Sequence, residues 1–338
     1  MMLSADRNAK NEHPLIGRIR HRVAELVAAG VDSLHACRMT PHSPTAPASA
    51  HRWRAALFML VAVGLFALMD AGLKLLSVHY PPLQVAAMRG GASLPFVLPW
   101  VLATVGIRSL FRVRWPLHLL RAVLGITMMA TFVFALRTLP LSTAYTIFFI
   151  APLLITALSV PILGERVGPR RWAAIVVGFL GVLVVLRPTA AGIGSLAGLA
   201  VLLAALGYAV SAITVRVLAR TDSSQAIVVW LLVSMAFGAG LLALPHWVLI
   251  RGEDLWLIAG VGIAGALGQY TITEAFRRGE ASLIAPLEYS ALLWGVLLDF
   301  SLWGVLPDEM TWVGAAIIVL SGLYLLRRER VHLEAEHP

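Results

Sequence analysis

Apolar residues fill the chain in long stretches, and polar residues gather in the short gaps between them. From Trp53 to Leu326 ten such stretches follow one another: 55–77, 82–106, 116–136, 141–163, 169–187, 195–216, 226–250, 254–276, 281–304 and 309–326. A helix needs about 20 mostly apolar residues to cross a bilayer. The gaps carry turn residues, among them Pro81-Pro82, Pro140, Gly168-Pro169, Pro188 and Pro307-Asp308. In lipid each span must satisfy its own backbone hydrogen bonds. The pattern therefore predicts an all-α membrane protein with ten transmembrane helices. No gap is long enough for an additional domain. An outer-membrane barrel is excluded, because it would show alternating segments of roughly ten residues.

A shift of 140 residues lays the third to fifth stretches over the eighth to tenth. Ala135-Leu136-Arg137 then meets Ala275-Phe276-Arg277, Ser142 meets Ser282, Ala151 meets Ala291, Gly164 meets Gly304 and Trp172 meets Trp312. Five helices per half is an odd number, so the second half must be inverted relative to the first. Inverted repeats are a hallmark of secondary transporters. The expected layout is a tail over 1–52, a five-helix repeat over 53–188, a second over 189–327 and a short tail over 328–338.

Composition agrees and charge adds orientation. Hydrophobic residues make up 59% of the 338 positions and charged ones only 13%, against roughly 45–50% and about 25% in soluble domains. The net charge of +9 would suggest nucleic acid in a soluble protein. Here alternate gaps hold Arg52, Arg54; Arg108, Arg112, Arg114; Arg166, Arg170, Arg171; Arg216, Arg220; Arg277, Arg278; and Arg327, Arg328, Arg330. The other gaps hold Arg137, Arg187 and Arg251. By the positive-inside rule both termini are expected in the cytoplasm. The basic excess is thus a topology signal, and no nucleic-acid partner is implied. An Arg-rich, Lys-poor, Ala-rich composition further suggests a bacterial inner membrane. The single cysteine, Cys37, excludes a disulfide framework. The tail has two open readings. Leu15, Ile19, Val23, Leu26, Val27 and Val31 recur at helical spacing among arginines, as in a basic surface helix. The alternative is a disordered tail, or a start codon assigned too early, with Met39 as the true start. It does not have the form of a signal peptide.

Charged groups at mid-span are costly and usually functional. With a turn near 79–80, Asp70 and Arg89 lie level on adjacent helices, roughly 14 Å deep at 1.5 Å per residue, which predicts an ion pair. Asp70 and Lys74 share a helix face at i, i+4, and Lys74 is shallow enough to snorkel. The trio is either a gate or substrate grip, or a fixed pair that sets helix packing. Arg121 is a site candidate or a second snorkelling residue. Glu288 follows Pro286, which can break the helix locally, and broken helices often mark transporter sites. Glu288 is thus a candidate proton carrier; the alternative is an acid bonded to a neighbouring helix. Asp299 is expected near the outer end and hydrated, and Glu274 as a surface partner of Arg277 and Arg278. Tyr145, Tyr208, Gln269, Tyr270, Tyr289 and Trp294 are candidates to line a central cavity for a planar or amphipathic metabolite, or else to pack and anchor. Gly260, Gly262, Gly265 and Gly268 predict close helix packing.

Several segments together are familiar: Asp70-x3-Lys74, Met88-Arg89-Gly90, the run 135–144, Gly164-Glu165-Arg166, Ala285-Pro286-Leu287-Glu288-Tyr289, Pro307-Asp308 and the run from Gly314 to Tyr324. Over roughly 55–328 the sequence resembles the EamA family of the drug/metabolite transporter superfamily, whose members have ten helices in two inverted halves. Its last segments are similar to a subgroup that includes riboflavin and S-adenosylmethionine carriers. One departure is Gly304-Val305, which replaces the family's usual Gly-Glu pair. The resemblance implies a secondary transporter of a small organic metabolite: amino-acid, flavin, nucleoside or S-adenosylmethionine-like. The bound partners would be that substrate and the lipid bilayer, in a monomer or homodimer, with no cofactor or metal. The residues expected to bind substrate or couple transport are Asp70, Lys74, Arg89, Arg121, Tyr145, Gln269, Glu288, Tyr289 and Trp294. Neither a phosphate-binding loop nor a hydrolase or metalloprotease motif is present in the sequence. A membrane-embedded enzyme, a lipid-handling protein and a scaffold remain the alternatives.

Overall fold

A computed structural model describes residues 48–105, 110–111, 113–164, 167–187, 196–278 and 284–336. The tail over 1–47, Glu165, Arg166 and Ser282 lie outside the described residues, so the expectations placed on them do too. The helices are α1 (Ala48–Ser77), α2 (Pro82–Val105), α3 (Trp115–Leu136) and the broken pair α4a (Leu141–Phe148) and α4b (Ala151–Leu163). They continue with α5 (Pro169–Leu186), α6 (Leu196–Leu218) and α7, which starts at Ser224–Val233. Last come α8 (Leu255–Arg278), α9 (Ala291–Trp303) and α10 (Glu309–Glu336). No strand occurs among the described residues. Nine of the ten expected spans are helical, long and apolar enough to cross a membrane. The remaining one, the ninth span with α9, is shortened because a 3-10 segment, Ala285–Ser290, takes its first turns.

The repeat is visible element by element. Displaced by 140 residues, α3, α4b and α5 start on the same positions as α8, α9 and α10. Gly164 and Gly304 end the paired helices α4b and α9 in the left-handed conformation, at φ 71° and 65°. The repeats are inverted. Arg137, just past α3, donates to the carbonyls of Ser77 and Tyr80 at 2.9 and 2.8 Å, so α3 ends beside the α1–α2 hairpin. Its mate α8 starts there instead, since the Tyr80 hydroxyl donates to Asp254 at 2.6 Å. The hairpin end is tied further by Gln84, whose amide exchanges two bonds with the backbone of Val248 at 2.6 and 2.9 Å. At the opposite, arginine-rich end, Glu274 accepts from Arg277 and Arg278 at 2.8 Å each; the pairing is as the sequence suggests, but Glu274 is buried and not at the surface.

Three further departures from the expected spans occur, and proline accounts for the first and for the end of the second. The fourth span breaks at Phe149–Ile150, because Pro152 has no N–H to return to the Phe148 carbonyl. The seventh becomes a π-helix over Ser234–Ala239 and ends at His246, one residue after Pro245. Trp247 onward is extended and held by Gln84. The tenth runs on to Glu336, well past the expected 326.

Helix starts need outside partners here. Four N–H groups at each start have no partner inside the helix. The residue before α3 is Arg114 and the residue before α4a is Pro140, and neither side chain caps its helix. Asp222, in the α6–α7 loop of the other repeat, accepts from the Arg114 N–H at 3.1 Å and from His118 Nε2 at 2.9 Å. Burial pushes the Asp222 carboxyl up, but the bonds from Thr221, Arg114 and His118 outweigh it and hold it below its ordinary 3.8.

A group held below its ordinary value stabilises the fold above that value, and the contribution is lost as the pH falls through the folded-state value. Asp222→Asn is therefore expected to lower the melting temperature at neutral pH and to flatten the acid limb below pH 3.8; an unchanged acid limb would remove this role. The glycine faces are testable separately. A Cβ on Gly262 would stand 2.3 Å from the Ala92 carbonyl oxygen on α2, whereas one on Gly260 meets nothing within 4 Å. Gly262→Ala should cost about 1–3 kcal/mol by overpacking, and Gly260→Ala should leave thermal unfolding in detergent unchanged.

Candidate functional site

The predicted residues divide into three places. Near the hairpin end, Asp70 on α1 accepts from the Tyr145 hydroxyl on α4a at 2.8 Å. The expected Asp70–Arg89 contact pair is not formed. Arg89 instead points its Nε at the Met69 sulfur, 3.3 Å away, and its Nη1 at the Met235 sulfur, 3.4 Å away. It acts on Asp70 through space only. Lys74 does not snorkel. Its Nζ lies 3.5 Å from Asp299 Oδ1 and 4.3 Å from the centre of the Trp303 ring. Asp299, expected to be hydrated, is fully buried. Its carboxylate accepts from the N–H of Leu141 at 2.9 Å, the N–H of Ser142 at 2.8 Å and the Ser142 hydroxyl at 2.6 Å. The sequence position suggested water because α9 is close to its end there. What it did not reveal is that α4a starts against that position without a cap of its own.

The second place is a cavity of about 490 Å³ of empty space, part of it continuous with solvent. Its lining includes Phe66, Arg89, Ser93, Arg121, Gly265 and Gln269, with apolar side chains of α2 and α7. Here the predicted Arg89, Arg121 and Gln269 do converge, from α2, α3 and α8. Arg121 belongs to this wall and does not reach for the surface. Its Nη1 donates to the Ile227 carbonyl, and its Nε is buried without a protein partner. The lining comes from the start of α3, the start of α7 and the second half of α8, so the cavity lies toward the arginine-rich end. Among the described residues that line it there is no carboxylate.

The third place is the break before α9. Glu288, Tyr289 and Ser290 close the 3-10 segment. The Tyr289 hydroxyl and the Ser290 hydroxyl are buried without a protein partner. Tyr289 stacks at a tilt on Phe149, with ring centres 4.8 Å apart. Glu288 acts electrostatically on Tyr208 of α6, and so does Arg121. Tyr208 shares the helix face of Val201, Ala204 and Ala205, which are fully buried, yet it is itself 40% exposed. Its ring meets Phe148 at 5.4 Å, Phe148 meets Phe132 at 5.8 Å, and Phe132 stacks on Tyr145 at 6.4 Å. An aromatic wall thus runs from the Asp70 region to the helix break. Trp294 packs on Gly64 of α1 and Tyr270 on Trp100; neither lines the cavity.

A cavity with polar groups, lined from both inverted five-helix repeats, is the architecture of a carrier. The family model of the EamA-like transporter family matches residues 53–187 and again 195–327. The chain belongs to the EamA-like transporter family. It is 33% identical to a riboflavin transporter of Vibrio cholerae serotype O1, over 82% of this chain and 95% of that one. It is 32% identical to a riboflavin transporter of Rhizobium johnstonii, over 81% and 91%. An S-adenosylmethionine uptake transporter of Rickettsia prowazekii is 26% identical, over 79% and 90%. A solved crystal structure superposes with a TM-score of 0.56 at 22% identity, covering 81% of this chain and 98% of that one, which supports the fold. This EamA-like protein is therefore a multi-pass membrane transporter of a small metabolite and not an enzyme.

Proposed function

We propose that this EamA-like transporter carries a flavin-like metabolite by alternating access, with its arginine-rich end in the cytoplasm. The observation that carries the reading is the lining of the cavity: Arg89, Arg121, Ser93 and Gln269 bring hydrogen-bond donors together, with no carboxylate among them. The buried Arg121 Nε has no partner, and a buried donor left unpaired costs about 1–3 kcal/mol. A planar ring with carbonyl acceptors on one edge satisfies such a donor set and lays its apolar face on Phe66. A sulfonium cation meets two guanidinium groups in the same place, which argues against S-adenosylmethionine. The similarity to two riboflavin transporters supports the same choice. Alternating access is supported by the inverted repeats and by the position of the cavity, nearer the arginine-rich end. The placement of that end in the cytoplasm rests on the asymmetry of the arginines.

Riboflavin fluorescence should be quenched on titration with the detergent-purified protein. Arg121→Ala and Arg89→Ala should each weaken binding about 10–100-fold, as expected for a hydrogen bond to a charged group, while remaining folded by circular dichroism. No quenching by the wild type, with stabilisation by S-adenosylmethionine instead, would reject the flavin reading. Proton coupling rests on Glu288, which has no hydrogen bond or ion pair among the described residues. Glu288→Gln should abolish gradient-driven accumulation in proteoliposomes and spare exchange. Accumulation that keeps its pH dependence in that variant would dismiss Glu288 as the carrier.

A further inference from the structure

We infer that Asp299 is the latch of the hairpin-end gate: by capping α4a from the opposite repeat it holds that end closed, and transport requires the cap to break. The inference rests on the alternating-access reading above. Asp299 belongs to α9, in the second repeat, and α4a belongs to the first. Three hydrogen bonds between 2.6 and 2.9 Å join them. Pro140 leaves α4a without a side-chain cap of its own, so α9 supplies what the helix start needs. Lys74 balances the carboxylate from α1 at 3.5 Å and is covered by the Trp303 ring. One carboxylate therefore joins α1, α4a and α9 at the end of the bundle that the cavity does not approach. The same short helix carries Tyr145, which holds Asp70, so movement of α4a also releases Asp70.

A carboxylate that merely stabilises a helix start would do the same anywhere in the fold. Asp222 is the control, because it too caps a helix of the first repeat from the second, but at the arginine-rich end. Spin labels on Val78→Cys and Leu306→Cys, exposed at 74% and 61% on the two sides of the hairpin end, report its opening in a Cys37→Ser background. Pulsed electron resonance distances would be compared in nanodiscs for wild type, Asp299→Asn and Asp222→Asn. Asp299→Asn is expected to raise the share of the longer distance about tenfold or more, the shift expected when a charge-assisted hydrogen bond is lost. Asp222→Asn should lower the melting temperature without moving the distances. Equal melting losses with unchanged distances in both variants would make Asp299 a structural cap and overturn the inference. Should Asp299→Asn fail to fold, Lys74→Met keeps all three cap bonds and removes only the cation. It should widen the distribution in the same direction, and no widening there also overturns the inference. A single distance in every variant, with and without riboflavin, would instead refute alternating access and the latch with it. Two distances in the wild type whose ratio ignores Asp299 would remove the latch alone.

Discussion

In hydrocarbon, every backbone N–H and C=O must find its partner inside the protein, and this constraint organises the molecule. Regular helices meet it along their length but not at their starts. Several helix starts in the first repeat have no side-chain cap of their own, and two of them are met by a buried aspartate of the second repeat. Asp222 serves α3 at the arginine-rich end, and Asp299 serves α4a at the hairpin end. Satisfying the backbone is therefore also one of the ties between the two repeats. Removing one partner of such a buried charged set strands the rest, which is why loss of one partner costs more than the intact set contributes.

The breaks in α4 and before α9 apply the same constraint in reverse. Each interrupts a helix at mid-depth, where free carbonyls and hydroxyls are tolerated only against protein or a water-filled cavity. The buried hydroxyls of Tyr289 and Ser290 stand at one break, and Phe149, stacked on Tyr289, stands at the other. The two breaks thus meet each other. Tyr208 is within electrostatic reach of both Glu288 at that break and Arg121 of the basic cavity.

Most of the scaffold was legible in the sequence, because hydropathy and chain length alone determine where a span can lie. The repeat was legible through a few anchors: Gly164 and Gly304 recur because each helix end adopts a left-handed turn that glycine takes without strain. The break before α9 was signalled by Pro286. The break in α4 was signalled equally by Pro152, but an apolar run on both sides hid it. The π segment of α7 carries no such mark. Of the site, Arg89, Arg121 and Gln269 could be nominated by polarity and depth, but their partners could not. Depth placed Asp70 beside Arg89, yet side-chain direction gave Asp70 to Tyr145 and Arg89 to two methionines. Asp299 was misjudged for the same reason: its partners are 157 and 158 residues away in sequence.

The repeats share a backbone plan but not a chemistry. Under the 140-residue shift, Arg121 falls on Val261, Glu288 on Phe148, Gln269 on Met129 and Asp299 on Ser159. Ser159 bonds only within its own helix, to the Thr156 carbonyl at 2.9 Å. Under the alternating access proposed above, rocking such a pair of repeats would yield two arrangements that are alike in backbone but unlike in what closes them. A charged cap with three hydrogen bonds and a lysine closes the hairpin end, and the position that would mirror it holds a neutral hydroxyl. Equal backbones alone would leave the two arrangements nearly equal in free energy. On that reading, unequal closures would bias the resting protein toward the arrangement in which the hairpin end is shut and the basic cavity lies toward the arginine-rich end. A substrate that binds both arrangements equally would leave that bias unchanged. Differential contact with Arg89, whose neighbour Met69 directly precedes Asp70 on α1, would give occupancy of the cavity a route to the Asp70–Tyr145 bond and, through α4a, to the proposed latch.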